Sequence, residues 1–172
     1  MRIRKLLNSS EKGFTLIEVV VAIGLTAIII GAIVTSVFQV FTLNIRTSNH
    51  MNAVTQVQSA GYWVSFDAQM AQDVDASGAS GFPLTLTWKD WNGNEYDVVY
   101  TLDTVNNRLQ REHFTNGVSD NTACVGEYID SVNTNCTVIG GKLILNITAT
   151  VGTNPHTQNE TRVYEVIPRP NV

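Results

Sequence analysis

From Phe14 to Ile45 the chain runs for 32 residues with one ionisable side chain, Glu18, and no proline. At about 1.5 Å per residue, a helix of this length reaches on the order of 48 Å, more than the roughly 30 Å hydrocarbon core of a bilayer. A cleaved secretory signal has an apolar region of about 7 to 15 residues ahead of a small-x-small site. This run is far longer and holds no Ala-x-Ala triplet. A buried core helix is rarely so long beside a basic head, so the run is read as a membrane span.

The flanks set its direction. Arg2, Arg4, Lys5 and Lys12 precede the run against Glu11 alone, whereas only Arg46 follows before Asp67, Asp73 and Asp75. The positive-inside rule then puts the amino terminus in the cytoplasm and everything after Arg46 outside, a single pass through the cytoplasmic membrane. Cys124 and Cys136, the only cysteines, would lie in an oxidising compartment with 11 residues between them. That favours a disulfide, with two free buried thiols as the alternative.

Composition excludes several functions. The chain has 11 Lys and Arg against 15 Asp and Glu, a net charge of −4, so no whole-chain basic field invites nucleic acid. Two cysteines and three scattered histidines, His50, His113 and His156, do not make a metal set, and no cofactor is expected. There is no G-x-S-x-G and no phosphate-binding glycine loop, which argues against an enzyme. Asp90, Asn92 and Asn94 alternate like the start of a calcium loop, but Gly93 is out of register and no glutamate closes the loop. A hairpin turn is the better reading there.

The junction reads Glu11-Lys12-Gly13-Phe14-Thr15-Leu16-Ile17-Glu18, followed by Val19-Val20-Val21-Ala22-Ile23. It resembles the processing site of the type IV pilin family, which includes the pseudopilins of type II secretion and competence systems. In that family a short basic leader ends in glycine, phenylalanine follows, a glutamate holds the fifth mature position, and a long apolar helix comes next. The resemblance implies cleavage between Gly13 and Phe14 by a prepilin peptidase and methylation of the new Phe14 amine. It also implies assembly with other pilins on an inner-membrane platform through the helix. Losing 13 residues, with four of the basic and one of the acidic side chains, would leave 159 residues and a balance of −7. An acidic mature protein is disfavoured as a nucleic-acid binder by itself.

The residues of the motif carry physical meaning of their own. Glycine before the cut offers no side chain to obstruct a protease taking extended backbone. A carboxylate in an apolar span costs a few kcal/mol unless paired, so Glu18 is a functional residue by default. The amine of a mature Phe14 would lie one helical turn away, able to neutralise Glu18 within one chain or between neighbours. The alternative is that Glu18 only favours the positive amino-terminal end of the helix.

Beyond the span, Val54, Val57, Gly61, Val64, Ala68 and Ala71 recur at spacings of 3 and 4, with Trp63, Phe66 and Met70 beside them. This predicts that the helix continues, amphipathic over residues 46–76, and packs on a sheet until Ser77-Gly78-Ala79-Ser80-Gly81 breaks it. From Pro83 the period becomes 2: Leu84, Leu86 and Trp88, then Tyr96, Val98, Tyr100 and Leu102, with Asn92-Gly93-Asn94 between. Further strands are predicted at Arg108 to Phe114, Leu143 to Val151 and Thr161 to Ile167. Residues 115–141, rich in Asn, Ser, Thr and Gly, read as an inserted loop with at most short strands. The class is α+β: a 1–13 leader, a 14–45 membrane and assembly helix, its continuation, and an antiparallel sheet domain over 77–172.

Within the pilin family the outer part is most similar to the J-type pseudopilin of type II secretion and the W-type minor pilin. The similarity lies in Trp63-x-x-x-Asp67-x-x-x-Ala71, Tyr100-x-Leu102, Leu109-x-Arg111 and the strand from Leu143 to Val151. Thr35 stands where major pilins often carry proline, which favours a minor subunit and leaves the hydrogen-bond ladder closed. The expectation is a minor pilin or pseudopilin, a non-enzymatic filament subunit. The alternative is a membrane-anchored extracytoplasmic enzyme or solute-binding domain that does not polymerise.

Overall fold

A computed structural model describes residues 13–169. The basic flank from Arg2 to Lys12, read above as a leader, lies outside the described residues. In chain order the elements are α1 (Leu16–Met70), β1 (Asp73–Asp75), β2 (Leu84–Lys89), β3 (Glu95–Asp103) and β4 (Arg108–Thr115). Then follow β5 (Val118–Glu127), β6 (Asn135–Ile139), β7 (Lys142–Val151) and β8 (Gln158–Val166). The chain divides into two compact units, Met1–Leu43 and Asn44–Val172.

In the first unit, no described residue is buried. The helix is long and apolar enough to cross a membrane. Its internal hydroxyls are satisfied within the helix: Thr26, Thr35 and Ser36 donate to the carbonyls of Ala22, Gly31 and Ala32 at 2.7 to 2.9 Å. Hydrocarbon offers no other partner for such groups, so these bonds are what allow them in the run.

The second unit has its own core, drawn from residues between Ala53 and Val166. Its part of α1 buries Ala53, Val57, Ala60, Gly61, Val64, Asp67 and Ala68, confirming the stripe, although Val54 is only half-buried and Ala53 takes the inner position. Small residues let strands approach the helix closely. The Tyr164 ring of β8 lies directly over Gly61, where any Cβ would overlap it, and its hydroxyl donates to the Val57 carbonyl at 3.3 Å. The Gln56 side chain accepts the backbone N–H of Glu127 on β5 at 2.8 Å.

Strands β1 to β5 form one sheet in sequence order, and β6, β7 and β8 a second, all antiparallel. Leu84 and Leu86 on β2, Val98 and Tyr100 on β3, and Leu109 on β4 are buried, and β7 adds Leu143, Leu145, Ile147, Ala149 and Val151. This is the alternation of half-buried antiparallel strands. Between the sheets, an Ile129 to Ala149 bridge joins the segment after β5 to β7. The pairing of β4 with β5 slips its register at Leu109/Gln110 and again at His113/Phe114.

The α+β class holds, with three corrections to the sequence expectation. The helix ends at Met70, not near Ala76, because residues 73–75 pair with β2. The predicted loop over 115–141 contains the ten-residue β5 and the five-residue β6. Two sheets stand where one was expected.

One polar cluster crosses the core. Asp67, 1% exposed near the end of α1, accepts from Arg111 Nε at 2.7 Å and from a terminal nitrogen of the same guanidinium at 3.0 Å. It also accepts from the Tyr100 hydroxyl. The Trp63 ring lies 5.2 Å from the guanidinium carbon. The Asp67 hydrogen bond holds the Arg111 pKa above its ordinary value. Burial, then the Asp67 charge and hydrogen bond, push the Tyr100 phenol well above its usual value.

Replacing Arg111 by Leu leaves a buried carboxylate without its cation. Urea unfolding of a fragment beginning at Asn44 should show a loss of about 3 to 5 kcal/mol for Arg111→Leu. Arg111→Lys should recover only part of that loss, since an ammonium lacks the two-pronged geometry. Tyr100 adds a pH dependence. With its folded pKa raised, its contribution is full below the unfolded value of about 10 and is lost as pH rises beyond it. Stability should therefore fall more steeply with alkaline pH in the wild type than in Tyr100→Phe.

Candidate functional site

The residues singled out at the amino-terminal junction fall at the start of α1. Gly13 is exposed and outside the helix, and among the described residues nothing lies within 4 Å of where a Cβ would sit. Phe14 is 82% exposed. Thr15 caps the helix: its carbonyl accepts the N–H groups of Glu18 at 3.1 Å and Val19 at 3.2 Å, and its hydroxyl accepts the Glu18 N–H at 3.4 Å. Thr15-Leu16-Ile17-Glu18 thus has the Thr-x-x-Glu spacing of a capping box, a signal present in the sequence but passed over above.

Glu18 is therefore the third helical residue, where a carboxylate meets the positive end of the helix. It is exposed, and Phe14, Glu18, Ala22 and Thr26 line one groove along the segment. Phe14 and Glu18 share a face one turn apart. The cap bond joins the Glu18 backbone N–H to the Thr15 hydroxyl, so the Glu18 carboxylate meets the positive end of the helix without being engaged by that bond and can still take a partner.

A second concavity, wholly within the other unit, has a volume of about 790 Å³. Trp88 on β2 and Tyr96 on β3 stack with ring centroids 5.7 Å apart and planes 17° apart. His113 on β4 lies 6.2 Å from Trp88 and 6.0 Å from Tyr96. Phe66 and Met70 from the end of α1 face the same space, as does Trp91, 94% exposed in the β2–β3 turn. No sequence motif marked this group.

The β2–β3 turn is closed by side-chain hydrogen bonds. The Asp90 carboxylate accepts the N–H groups of Asn92 and Asn94 at 2.8 and 2.9 Å and the Asn94 side-chain amide at 2.9 Å. The Asn94 amide is the main cause of a lowered Asp90 pKa. Its oxygens are engaged in closing a hairpin turn around Gly93, whose φ is 84°. Among the described residues no three His, Cys, Asp or Glu side chains could hold a metal ion. His113 does have a carboxylate neighbour, Asp120 at 3.1 Å.

The structure does not show the expected disulfide. Cys124 and Cys136 are free thiols. They belong to outer strands of different sheets, β5 and β6. Cys124 is exposed, its thiol 3.5 Å from the Gly126 carbonyl, while Cys136 is 1% exposed. Its backbone closes over Gly81, where φ is 79° and any Cβ would overlap the Cys136 carbonyl. Burial pushes the Cys136 thiol up to about 12.

Comparison with known proteins adds one match. The prokaryotic N-terminal methylation motif covers residues 8–34, from before Gly13 through the first turns of the apolar helix. No curated protein and no solved structure matches the chain. The chain carries a prepilin-type amino terminus on a long apolar helix.

The two thiols should differ in reactivity. In native protein near neutral pH, iodoacetamide should modify Cys124 and spare Cys136, and denaturation should release the second thiol. Peptide mapping reads this directly, and Cys124→Ser should leave the melting temperature unchanged.

Proposed function

We propose that this chain is a minor pilin or pseudopilin, a structural subunit of a type IV pilus or a type II secretion-like filament. The observation that carries this reading is the coincidence of the methylation motif over residues 8–34 with an exposed Gly13 and Phe14 and an apolar helix capped at Thr15. A simple anchor needs none of these at that spacing. A prepilin peptidase would cut after Gly13, and the freed Phe14 amine would be methylated. An inner-membrane assembly platform would then pack the helix against those of other pilins.

Charge balance gives Glu18 its part. Removing the leader creates a positive Phe14 amine on the groove that Glu18 lines. In an apolar helical bundle an unpaired amine or carboxylate costs several kcal/mol, so the amine of one subunit and the Glu18 of another attract each other once water is gone. Orientation follows from the basic residues before Gly13: leader in the cytoplasm, sheet unit outside. The competing reading, a membrane-anchored enzyme or solute-binding domain that never polymerises, gives no reason for leader removal.

In cells with an active prepilin peptidase, mass spectrometry should find a mature chain starting at methylated Phe14. A chain still starting at Met1 would rule the reading out. Glu18→Gln should be processed and reach the membrane normally, yet be poorly incorporated. Loss of the buried pair costs about 3 to 5 kcal/mol. Co-immunoprecipitation with the other pilins beside a fractionation control measures this; normal incorporation would leave Glu18 only a helix-capping role.

A further inference from the structure

The inner face of the five-stranded sheet outlasts the helix that covers it. On β2 the inward residues run Leu84 and Leu86, both buried, then Trp88, half-buried. On β3, antiparallel, they run Tyr100 and Val98, then Tyr96, and on β4 Leu109, then Arg111 and His113. Trp88 pairs with Tyr96 across the strands, and Val98 with His113. α1 stops at Met70, so the core alternation continues into a stretch of sheet with no helix over it. The residues placed there are rings, where Leu and Val fill the covered part.

The surroundings restrict what fits. Lys89 is 2.9 Å from Glu95, Arg111 2.7 Å from Asp67 and His113 3.1 Å from Asp120, so among the described residues Arg169 is the one basic side chain of the lining with no carboxylate partner. A polyphosphate chain would meet a single unpaired guanidinium there, not a basic track. Of the twelve residues lining the cleft, five, Phe66, Trp88, Trp91, Tyr96 and His113, carry flat rings, and Met70 is the one flexible apolar side chain among them. An amphipathic helix seats aliphatic side chains in deep apolar holes, which a stacked pair of rings does not provide. Hydrogen-bond donors remain at the edge: the Gln72 side-chain oxygen accepts the Lys89 N–H at 3.0 Å, which leaves its amide NH₂ as the donor end of a lining residue, and Arg111 keeps N–H groups beyond the two bound to Asp67.

We propose that this cleft binds the neutral sugar rings of an oligosaccharide, stacking them on Trp88, Tyr96 and Trp91 and holding their hydroxyls through Gln72 and Arg111. A pyranose has faces of polarised C–H groups and a rim of hydroxyls. The C–H face suits the negative face of an aromatic ring, and the rim suits amide and guanidinium donors. A space of about 790 Å³ falls within the roughly 300 to 1,000 Å³ of small-molecule sites and takes a short run of linked rings. The inference rests on the cleft alone and stands whether or not the chain enters a filament.

The test uses the full-length chain in lipid nanodiscs free of glycoside detergent. Cellohexaose, chitohexaose and maltohexaose are titrated separately, with calorimetry and tryptophan fluorescence as readouts. At least one should bind with micromolar to millimolar Kd and shift the tryptophan emission. Trp91→Ala, at a side chain with almost no protein contact, should weaken that binding by at least about tenfold with unchanged thermal unfolding, and Gln72→Ala several-fold, with only a small drop in melting temperature from the freed Lys89 N–H. Failure of all three sugars to bind at millimolar concentration would overturn the proposal, as would binding that neither variant weakens. Tighter binding of an oligothymidine or a proline-rich peptide, abolished by Trp91→Ala, would reassign the cleft to that ligand.

Discussion

A carboxylate removed from water needs a counter-charge and hydrogen bonds for its lone pairs, and Asp67 obtains both from adjacent strands. Tyr100 and Arg111 are directly opposite each other in the β3–β4 register, so one helical side chain is held by two neighbours across a ladder. That arrangement fixes how far α1 slides along the first sheet and which way its face is turned. Apolar contacts alone would tolerate some slippage. A two-pronged guanidinium under the Trp63 ring does not, because a small displacement breaks charge-assisted bonds in a poorly solvated place.

The small-residue stripe of α1 complements this anchor. Ala53, Ala60, Gly61 and Ala68 leave room for the strands to come close, and larger groups from the sheets fill the space: the Tyr164 ring over Gly61, and Ile129 beside Gly126 and Ala60. The helix carries little side-chain volume at these positions and the sheets carry much. Apolar burial supplies most of the stabilisation of such a unit, and the Asp67 cluster selects one alignment among those that burial would accept.

Much of this was legible in the sequence because period and punctuation were strong. The apolar run, the stripe from Val57 to Ala68, the Leu84 to Leu102 hairpin and the β7 strand all read correctly. The strands inside residues 115–141 did not, since most of β5 is exposed and its Ser119, Asp120, Asn121 and Thr122 give no alternation to detect. The helix end was misplaced by about one and a half turns because Ala71 is buried just as the stripe requires, although it lies beyond the helix. The cysteine pairing was inferred from compartment and count, neither of which says that the residues fall in separate sheets. Trp63, Asp67, Tyr100 and Arg111 were visible as scattered points of likeness, but only the fold brings them to one place. The aromatic cleft had no sequence signal because its residues look like ordinary inward strand positions.

The register slips between β4 and β5 matter for how such chains coexist. β5 is an outer strand with one row of backbone groups unpaired within its sheet, the situation in which strands of different molecules add to one another. Two bulges, with Val125 and Asp120 as the extra residues of β5, twist it locally, and the polar tract from Ser119 to Thr122 lines its exposed length. A flat, greasy border would template runaway cross-β stacking wherever copies crowd together on a two-dimensional surface. A bent, hydrophilic one lets copies crowd without fusing neighbouring sheets, so contact at this edge remains reversible.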